Sequence, residues 1–198
     1  MKKVAFILTL AIFSHSLQAQ QNSDKTVLAV ELDPAPYILG GYSVFVRYKK
    51  AESKIAVAAA VFGGNKFPDF LMSKENKDNG FKDQKHRMSY AVFADYFPKG
   101  EHKGLYLGPS LFLYNHSVSK TGSSDIARFS KLYPNMRVGY IWYPFQKNNF
   151  YLSPWASFGS EISLDSKNEI NGVEYKPNKF NYIVAVHIGY SFSLSKKQ

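Results

Sequence analysis

Eight stretches of alternating polar and apolar residues succeed one another from about Lys25 to the C-terminal end of the chain. A period of two is typical of β-strands, and turn-forming residues separate the stretches. Many exceed the about five or six residues of a typical globular strand and suit the roughly 9–11 tilted residues that cross a bilayer. The predicted strands are Thr26–Leu32, Tyr42–Lys50, Lys54–Phe62, Arg87–Phe97, Gly104–Val118, Lys131–Phe145, Phe150–Leu164 and Phe180–Leu194.

The links between these stretches alternate between short and long. Short links are KAES (50–53), KGEHK (99–103) and QKNN (146–149); long links are residues 63–86, 119–130 and 165–179. Such alternation is typical of transmembrane β-barrels, in which turns are periplasmic and loops lie outside. A periplasmic N-terminus then requires Thr26–Leu32 as an upward strand, followed by a first outer loop. The chain is therefore predicted to be all-β, an eight-stranded antiparallel up-and-down transmembrane β-barrel.

The last predicted strand carries two distinct faces. One face is apolar and rich in rings: Tyr182, Val184, Val186, Ile188, Tyr190, Phe192 and Leu194. The other is mostly small or polar: Ile183, Ala185, His187, Gly189, Ser191 and Ser193. A membrane barrel would direct the first face to lipid and the second into a narrow lumen. A soluble lipocalin-type barrel would invert this arrangement, and alternation alone leaves both open.

The placement of aromatic rings favours the membrane alternative. Rings near one predicted rim are Tyr96, Phe97, Tyr143, Phe145, Phe150 and Tyr190. Aromatic residues are enriched at membrane–water interfaces, where such a belt would lie. The strands on either side of KGEHK and QKNN are thus predicted to form neighbouring periplasmic hairpins.

Two prolines lie inside predicted strands. Pro109 and Pro154 each remove a donor from the hydrogen-bond ladder, and a closed barrel has no free edge to accommodate the loss. A bulge at such a position would shift the facing of every later residue in the strand. The facing of Trp155 to Glu161 is therefore left open.

The N-terminal residues predict export. Lys2 and Lys3 precede the apolar run VAFILTLAIF, with a plausible cleavage position after Ala19. This run is shorter than the about 20 residues of a membrane-spanning helix. Residues 1–19 are predicted to be a signal peptide and residues 20–198 the barrel domain, located in the outer membrane of a Gram-negative bacterium. The chain contains no Cys, which excludes disulfides and thiolate metal sites.

Several segments together resemble a known superfamily: the N-terminal signal, GYSVFVRYK (41–49), GLYLGPSLFLY (104–114) and VHIGYSFSL (186–194). With these, the chain resembles the small eight-stranded outer-membrane barrels of the OmpA/OmpX-like superfamily, in a Bacteroidota-type form. The resemblance implies a last strand that carries an insertion signal ending in an aromatic, here Phe192. It therefore implies the barrel-assembly machinery as a partner during insertion.

The formal net charge of +10 falls to +8 when Lys2 and Lys3 are removed. A basic balance is often a sign of nucleic-acid binding, but the export signal argues against that partner. Anionic lipid headgroups are one expected counter-charge, and a solvated basic surface is the other explanation. The expected partners are outer-membrane lipid and lipopolysaccharide, with no nucleic acid, and the expected state is a monomer.

Ionisable residues also occur at predicted inward positions. They are Glu31, Arg47, Asp95, Arg137, Glu161 and His187. Because an isolated buried charge is very costly, these groups are predicted to pair inside the lumen. A packed plug is favoured, since an eight-stranded interior is just wide enough for side chains. The alternative is a narrow solute pore whose ion pairs rearrange.

The resemblance extends to outer-membrane lipid A-modifying enzymes, which use His and Ser near the outer rim, and it makes YNHSVSK (114–120) the catalytic candidate. In an extended strand, however, Ser117 points opposite to His116. No catalytic, cofactor-binding or metal-binding residue is predicted. In the long loop 63–86, Pro68 is a predicted helix start, with Phe67, Phe70, Leu71 and Met72 as a short apolar lid. The leading hypothesis is a non-enzymatic barrel with a structural or surface-interaction role.

Overall fold

The structure, a computed structural model, describes residues 25–68, 70, 72–145, 148–164, 168–176 and 180–194. The predicted signal peptide lies outside these residues. The strands are β1 (Thr26–Leu32), β2 (Tyr42–Lys49), β3 (Ile55–Gly63), β4 (Phe81–His86), β5 (Ser89–Tyr96), β6 (Gly104–Lys120), β7 (Ile126–Ile141), β8 (Phe150–Ser160), β9 (Ile162–Ser163), β10 (Glu169–Ile170), β11 (Val173–Glu174) and β12 (Phe180–Leu194). The helices are α1 (Pro34–Ile38) and α2 (Lys74–Asp78).

Eight of these strands form a closed antiparallel barrel in the order β1-β2-β3-β5-β6-β7-β8-β12. Closure comes from the pairing of the first strand with the last, in the register Thr26↔Leu194 to Leu32↔Ile188. The β6–β7 hairpin is the longest, with paired residues from Gly104↔Ile141 to Ser119↔Ile126. The predicted fold class, an eight-stranded up-and-down β-barrel, is confirmed.

The two ends of the barrel differ in their connections. At one end, named the turn end, the links β2–β3, β5–β6 and β7–β8 are short, and both chain ends of the barrel meet there. The opposite end, named the loop end, carries α1, α2 and the small strands β4 and β9–β11. The β6–β7 link, predicted to be long, is only residues 121–125, because β7 begins at Ile126 rather than Lys131.

The long β3–β5 connection is folded rather than extended. Its helix begins at Lys74, after Ser73, whose hydroxyl accepts from the Asn76 amide at 3.3 Å as an N-cap. The predicted helix start at Pro68 stays a prediction, because Asp69 and Leu71, the latter a member of the predicted lid, lie outside the described residues. No helix in the described part of the chain is both long and apolar enough to span a membrane.

The barrel exterior is apolar on every strand. Outward side chains, all at least 37% exposed, include one from each barrel strand: Val30, Val46, Val57, Val92, Leu107, Val138, Phe158 and Val186. On β12, Tyr182 and Val184 are exposed, whereas His187 and Ser191 are fully buried. The apolar face of the last strand is thus outside, as a membrane barrel requires, and the inverted lipocalin-type arrangement is wrong.

The interior is filled by rings as well as by small and polar groups. Glycines make room for two of these rings, because a Cβ at Gly139 would lie 2.4 Å from Tyr106 Cζ, and one at Gly189 2.3 Å from Tyr151 Cζ. The buried interior rings include Phe45, Phe93, Tyr106, Phe112, Tyr133, Tyr151 and Trp155. The expectation of a small or polar inner face was therefore incomplete.

The predicted belt of rings at the turn end is only partly outside. Phe97 and Tyr143 are buried, because each continues the inward alternation of its strand, two residues after the buried Asp95 and Ile141. Rings that do face solvent or are partly buried there are Tyr96, Phe145, Tyr190 and Phe150. The belt is correspondingly thinner than the sequence suggests.

The two prolines that lie within strands do not disturb the alternation of inward and outward side chains. Pro154 points outward, and the register between β8 and β12 is unchanged from Tyr182↔Phe158 to Tyr190↔Phe150. Alternation therefore continues through the segment whose facing was open, so Trp155 is inside and Phe158 outside. On β6, Pro109 likewise lies on the outside, and the pairs Phe93↔Ser110 and Tyr96↔Leu107 keep one register.

Candidate functional site

Four charged side chains meet inside the barrel. Arg137 of β7 donates to Asp95 of β5 through two bonds, Nε to Oδ1 at 2.8 Å and Nη2 to Oδ2 at 2.5 Å. Arg47 of β2 donates through Nη1 to the same Asp95 carboxylate, and through Nε to Oε1 of Glu31 at 2.6 Å. All four are at most 3% exposed. Two carboxylates and two guanidiniums thus form one charge-balanced chain across the lumen.

The network continues through Glu31 to a histidine. Glu31 Oε2 lies 2.7 Å from His187 Nδ1, and Glu31 Oε1 accepts from the Tyr151 hydroxyl at 2.8 Å. Trp155 Nε1, which can only donate, lies 2.9 Å from His187 Nε2. The His187 proton must therefore be on Nδ1, where it is donated to Glu31. The ring is a neutral connector, so it adds no charge to the balanced set.

Aromatic faces cover the guanidiniums. Arg137 Cζ lies 3.9 Å from the Phe93 ring centroid, and Arg47 Cζ lies 5.2 Å from that of Tyr106. Cation–π contact of this kind is stronger in a desolvated site. Arg137 Nη1 has no hydrogen-bond acceptor within the described residues, and this stacking compensates part of its lost hydration. We name the four charges with His187, Tyr151 and Trp155 the lumen network.

Five of the six residues predicted to form an interior charge network lie in the lumen network, and Glu161 does not. Glu161 binds Lys131 Nζ at 2.9 Å and Asn181 Nδ2 at 2.9 Å, nearer the loop end. Lys131 was missed, although it shares the inward parity of Arg137 on the same strand. Trp155 was also missed, because its facing was open, and Tyr151 was missed because the predicted network contained only acidic, basic and histidine side chains.

The turn end is closed by a histidine from the β5–β6 link. His102 is 3% exposed, and its Nδ1 lies 2.9 Å from the Tyr143 hydroxyl, which donates to Ser191 Oγ at 3.1 Å. The His102 ring also packs on Tyr151 at 5.4 Å between centroids. Burial, followed by the nearby Arg47 charge, lowers the pKa of His102 to about 3. A neutral imidazole therefore fills this end of the lumen at ordinary pH.

The loop end is closed by side chains that tie distant loops together. Gln84 accepts from the Tyr175 hydroxyl at 2.7 Å and lies 3.2 Å from His116 Nδ1. Asn76 of α2 donates to the Lys176 carbonyl at 2.7 Å and accepts from its amide at 2.9 Å. Burial raises the pKa of the Tyr175 hydroxyl, which therefore stays protonated. We name this assembly the loop-end cap.

The loop-end cap rests on its own apolar cluster. Its buried members are Met72, Phe81, Val118, Ala127, Phe129, Ile170 and Tyr175. His86 of β4 lies beside this region with its ring 4.7 Å from that of His116. Burial and the Lys131 charge lower the pKa of His86 to about 4. The cap is thus a packed layer rather than a set of free loops.

The Ser–His arrangement of a hydrolase is not assembled in YNHSVSK. His116 is buried and faces the interior, whereas Ser117 lies on the exterior face of β6. Ser119 is also on the exterior, where its hydroxyl donates to the Lys82 carbonyl at 3.2 Å and lies 3.3 Å from Asp83 Oδ2. The strand geometry therefore separates the imidazole from both hydroxyls.

No protein-family model matches the chain, and no curated protein matches it. The N-terminal β-barrel domain of Pseudomonas aeruginosa OprF is 14% identical, with a TM-score of 0.46 over 85% of this chain and 98% of that one. Neisserial surface protein A (NspA) is 18% identical, with a TM-score of 0.42 over 85% and 94%. A major outer membrane protein from Thermus thermophilus is 11% identical, with a TM-score of 0.43 over 85% and 99%. At these identities no residue role passes from one chain to another.

Proposed function

We propose that this protein is an integral outer-membrane β-barrel with a structural or surface-interaction role, and that it neither catalyses a reaction nor conducts solutes. The observation that carries the proposal is the contrast between the outer and the inner face of the barrel. All eight strands expose apolar side chains outward, while the inward charges neutralise one another. An exterior of this kind is costly in water and favourable in lipid.

The height of the apolar exterior supports membrane insertion. Outward residues from Leu132 to Trp142 on and just after β7 are all apolar. Ten residue steps at about 3.4 Å along a strand tilted by about 40° span a height of about 26 Å. The apolar band of outer-membrane barrels is about 25 Å tall.

A closed interior supports a non-conducting role. The lumen network lies between the buried His102, which closes the turn end, and the interior rings towards the loop end. The rings of Phe93 and Phe112 lie 5.3 Å apart, and those of Phe45 and Phe93 lie 5.8 Å apart. A hydrated ion would have to displace these rings and separate buried ion pairs, which is very costly.

The surface-interaction role is assigned to the loop end. With both barrel termini and the short turns on the periplasmic side, the loop-end cap lies outside the cell. Its loops are cross-linked by Asn76 and Gln84, so it presents a fixed surface. Lipid and lipopolysaccharide are the proposed surroundings of the barrel, and the barrel-assembly machinery is its proposed partner during insertion.

Heat-modifiable migration tests the barrel in the membrane. The protein, extracted from outer membranes, is run in detergent gels with and without boiling, and membranes are washed at alkaline pH. We expect a faster-migrating unboiled band and full retention in the washed membranes. Release of the protein into the wash, with no heat-dependent shift, would contradict membrane insertion.

Conductance in planar bilayers tests the closed lumen separately. The inserted wild type is expected to give no discrete openings. Arg137→Ala, which leaves Asp95 with Arg47 alone, provides a comparison that loosens the lumen network. Regular openings of the wild type, altered by this substitution, would replace the structural role with that of a narrow pore.

A further inference from the structure

A three-stranded sheet projects past the barrel at the loop end. It consists of β4, the last residues of β6 and the first residues of β7. In its register, Ser117 pairs with Lys85 on one side and with Arg128 on the other. Directly paired side chains lie on the same face of a sheet, so these three form one row. Since Ser117 and Arg128 lie on the exterior face of their strands, the row faces outward.

The row stands just beyond the apolar exterior. The outward residues of β6 change from Leu111 and Leu113 to Asn115 and then Ser117 as the strand approaches the loop end. The outward residues of β7 change in the same way, from Leu132 to Arg128, which lies four residues further towards the loop end. Long basic side chains at such a boundary extend into the headgroup region while their stems cover apolar surface.

Further basic residues surround the row. Two of them, Lys82 and Arg87, are exposed beside it. Lys82 pairs with Ser119, and the Arg87 amide donates to the Asn115 carbonyl at 2.7 Å. One acid, Asp83, lies beside the row: its Oδ2 is 3.3 Å from the Ser119 hydroxyl on the exterior face, and its Oδ1 is 4.0 Å from Lys66 Nζ. Asp125 is the other nearby acid, in the β6–β7 turn. The sector therefore carries a local excess of positive charge.

This charge is confined to one sector of the rim. The described outward residues at the loop ends of β1, β2, β3, β8 and β12 bear no cationic side chain: Leu32, Tyr42, Val61, Ser160 and Tyr182. A general basic surface would distribute its charge around the barrel. Here the cations are gathered on and beside β4 and the loop-end parts of β6 and β7.

We propose that Lys85, Ser117 and Arg128, named the cationic row, bind the phosphate of an anionic lipid in the leaflet around the loop end. Two cations with a hydroxyl donor between them suit a phosphate, which accepts charge-assisted hydrogen bonds. The apolar surface directly below accepts the acyl chains of the same molecule. This inference rests on the proposed membrane location and adds a ligand class to it.

Native mass spectrometry of the detergent-solubilised protein tests the cationic row. The protein is titrated with a diphosphorylated lipid A or with phosphatidylcholine, and bound lipid is counted. The test variant is Lys85→Ala/Arg128→Ala, and the charge-matched control is Lys50→Ala/Lys99→Ala, both exposed at the turn end. Each cation near an anionic lipid contributes about a five-fold change in affinity, so the test pair is expected to lose about 25-fold.

The wild type is expected to prefer the phosphorylated lipid, and the control variant should keep this preference while the test variant loses it. Equal binding of both lipids, or equal losses in both double variants, would overturn the proposal. Full competition by inorganic phosphate or by soluble polyphosphate would also overturn it, since the acyl chains would then contribute nothing. Heat-modifiable migration of each variant shows separately whether the barrel is folded, so loss of lipid preference and failure of the barrel are distinguishable.

Discussion

Trp155 on β8 donates its indole N–H to Nε2 of His187 on β12, at 2.9 Å. The bond fixes which imidazole nitrogen carries the proton and directs that proton to Glu31, 2.7 Å away. The Trp155 ring on the inner wall thereby orients the His187 imidazole, through which β12 is joined to the charged side chains of the lumen network.

Trp155→Phe is expected to lower the free energy of unfolding by about 1–3 kcal/mol, because it leaves a buried imidazole nitrogen without its donor. Trp142→Phe is the matched control, since Trp142 is 44% exposed on the exterior whereas Trp155 is 5% exposed. Guanidinium unfolding of the vesicle-inserted proteins measures both. Equal effects of the two substitutions would contradict the assigned facing.

Asp95→Asn is expected to cost about 3–5 kcal/mol, because it leaves two buried guanidiniums with one carboxylate between them. Asp83→Asn removes the same charge from a side chain that is 52% exposed and should change stability by less than about 1 kcal/mol. The readout is the denaturant midpoint in vesicles. A loss at Asp83 as large as that at Asp95 would show that the lumen network is not a buried unit.

Val138→Arg should destabilise the inserted barrel by about 2–4 kcal/mol, since Val138 faces outward in the middle of β7 and would place a cation in hydrocarbon. Ile126→Arg, on the same face at the loop end of the strand, should cost about 0–1 kcal/mol. Folding efficiency into vesicles, scored by heat-modifiable migration, reports the difference. An equal tolerance of both substitutions would contradict a lipid-facing exterior.

The folded state should lose stability as pH falls from about 6.5 towards 4.5, in part through His102. Its pKa is lowered to about 3 in the fold, whereas an unfolded histidine titrates near 6.5. Between these values the unfolded chain binds the extra proton, so acid favours unfolding, by up to about 3 kcal/mol at pH 4.5. His102→Gln should reduce this slope in unfolding curves measured at several pH values. An unchanged slope would place His102 in contact with water.

The eight barrel strands were predictable because both faces of a barrel strand have fixed environments, which impose an unbroken period of two. That pattern fails at the loop end. Phe81–His86 reads FKDQKH, which does not alternate, and Arg128 is a cation at an outward position. Beyond the apolar exterior, outward residues are no longer required to be apolar, so β4 and the start of β7 gave no signal.

The inward residues were predictable from parity, but their partners were not. Asp95 of β5 meets Arg137 of β7 although β6 lies between these strands. Which side chains meet across a lumen depends on the stagger of the strands, and alternation does not specify stagger. Glu161 accordingly binds Lys131 instead of joining the central set. His102 lies in a short polar link, and nothing in that link's composition marks it as buried.

The facing of the two tryptophans tests the central claim most directly. Trp142→Phe and Trp155→Phe each leave one fluorophore, because the chain contains two Trp. Each variant is inserted into vesicles whose lipids carry bromine on the acyl chains near the headgroup. The fold predicts strong quenching when Trp142 alone remains and little when Trp155 alone remains. Quenching of Trp155 with protection of Trp142 would mean that the apolar face is inside and the barrel is not a membrane barrel.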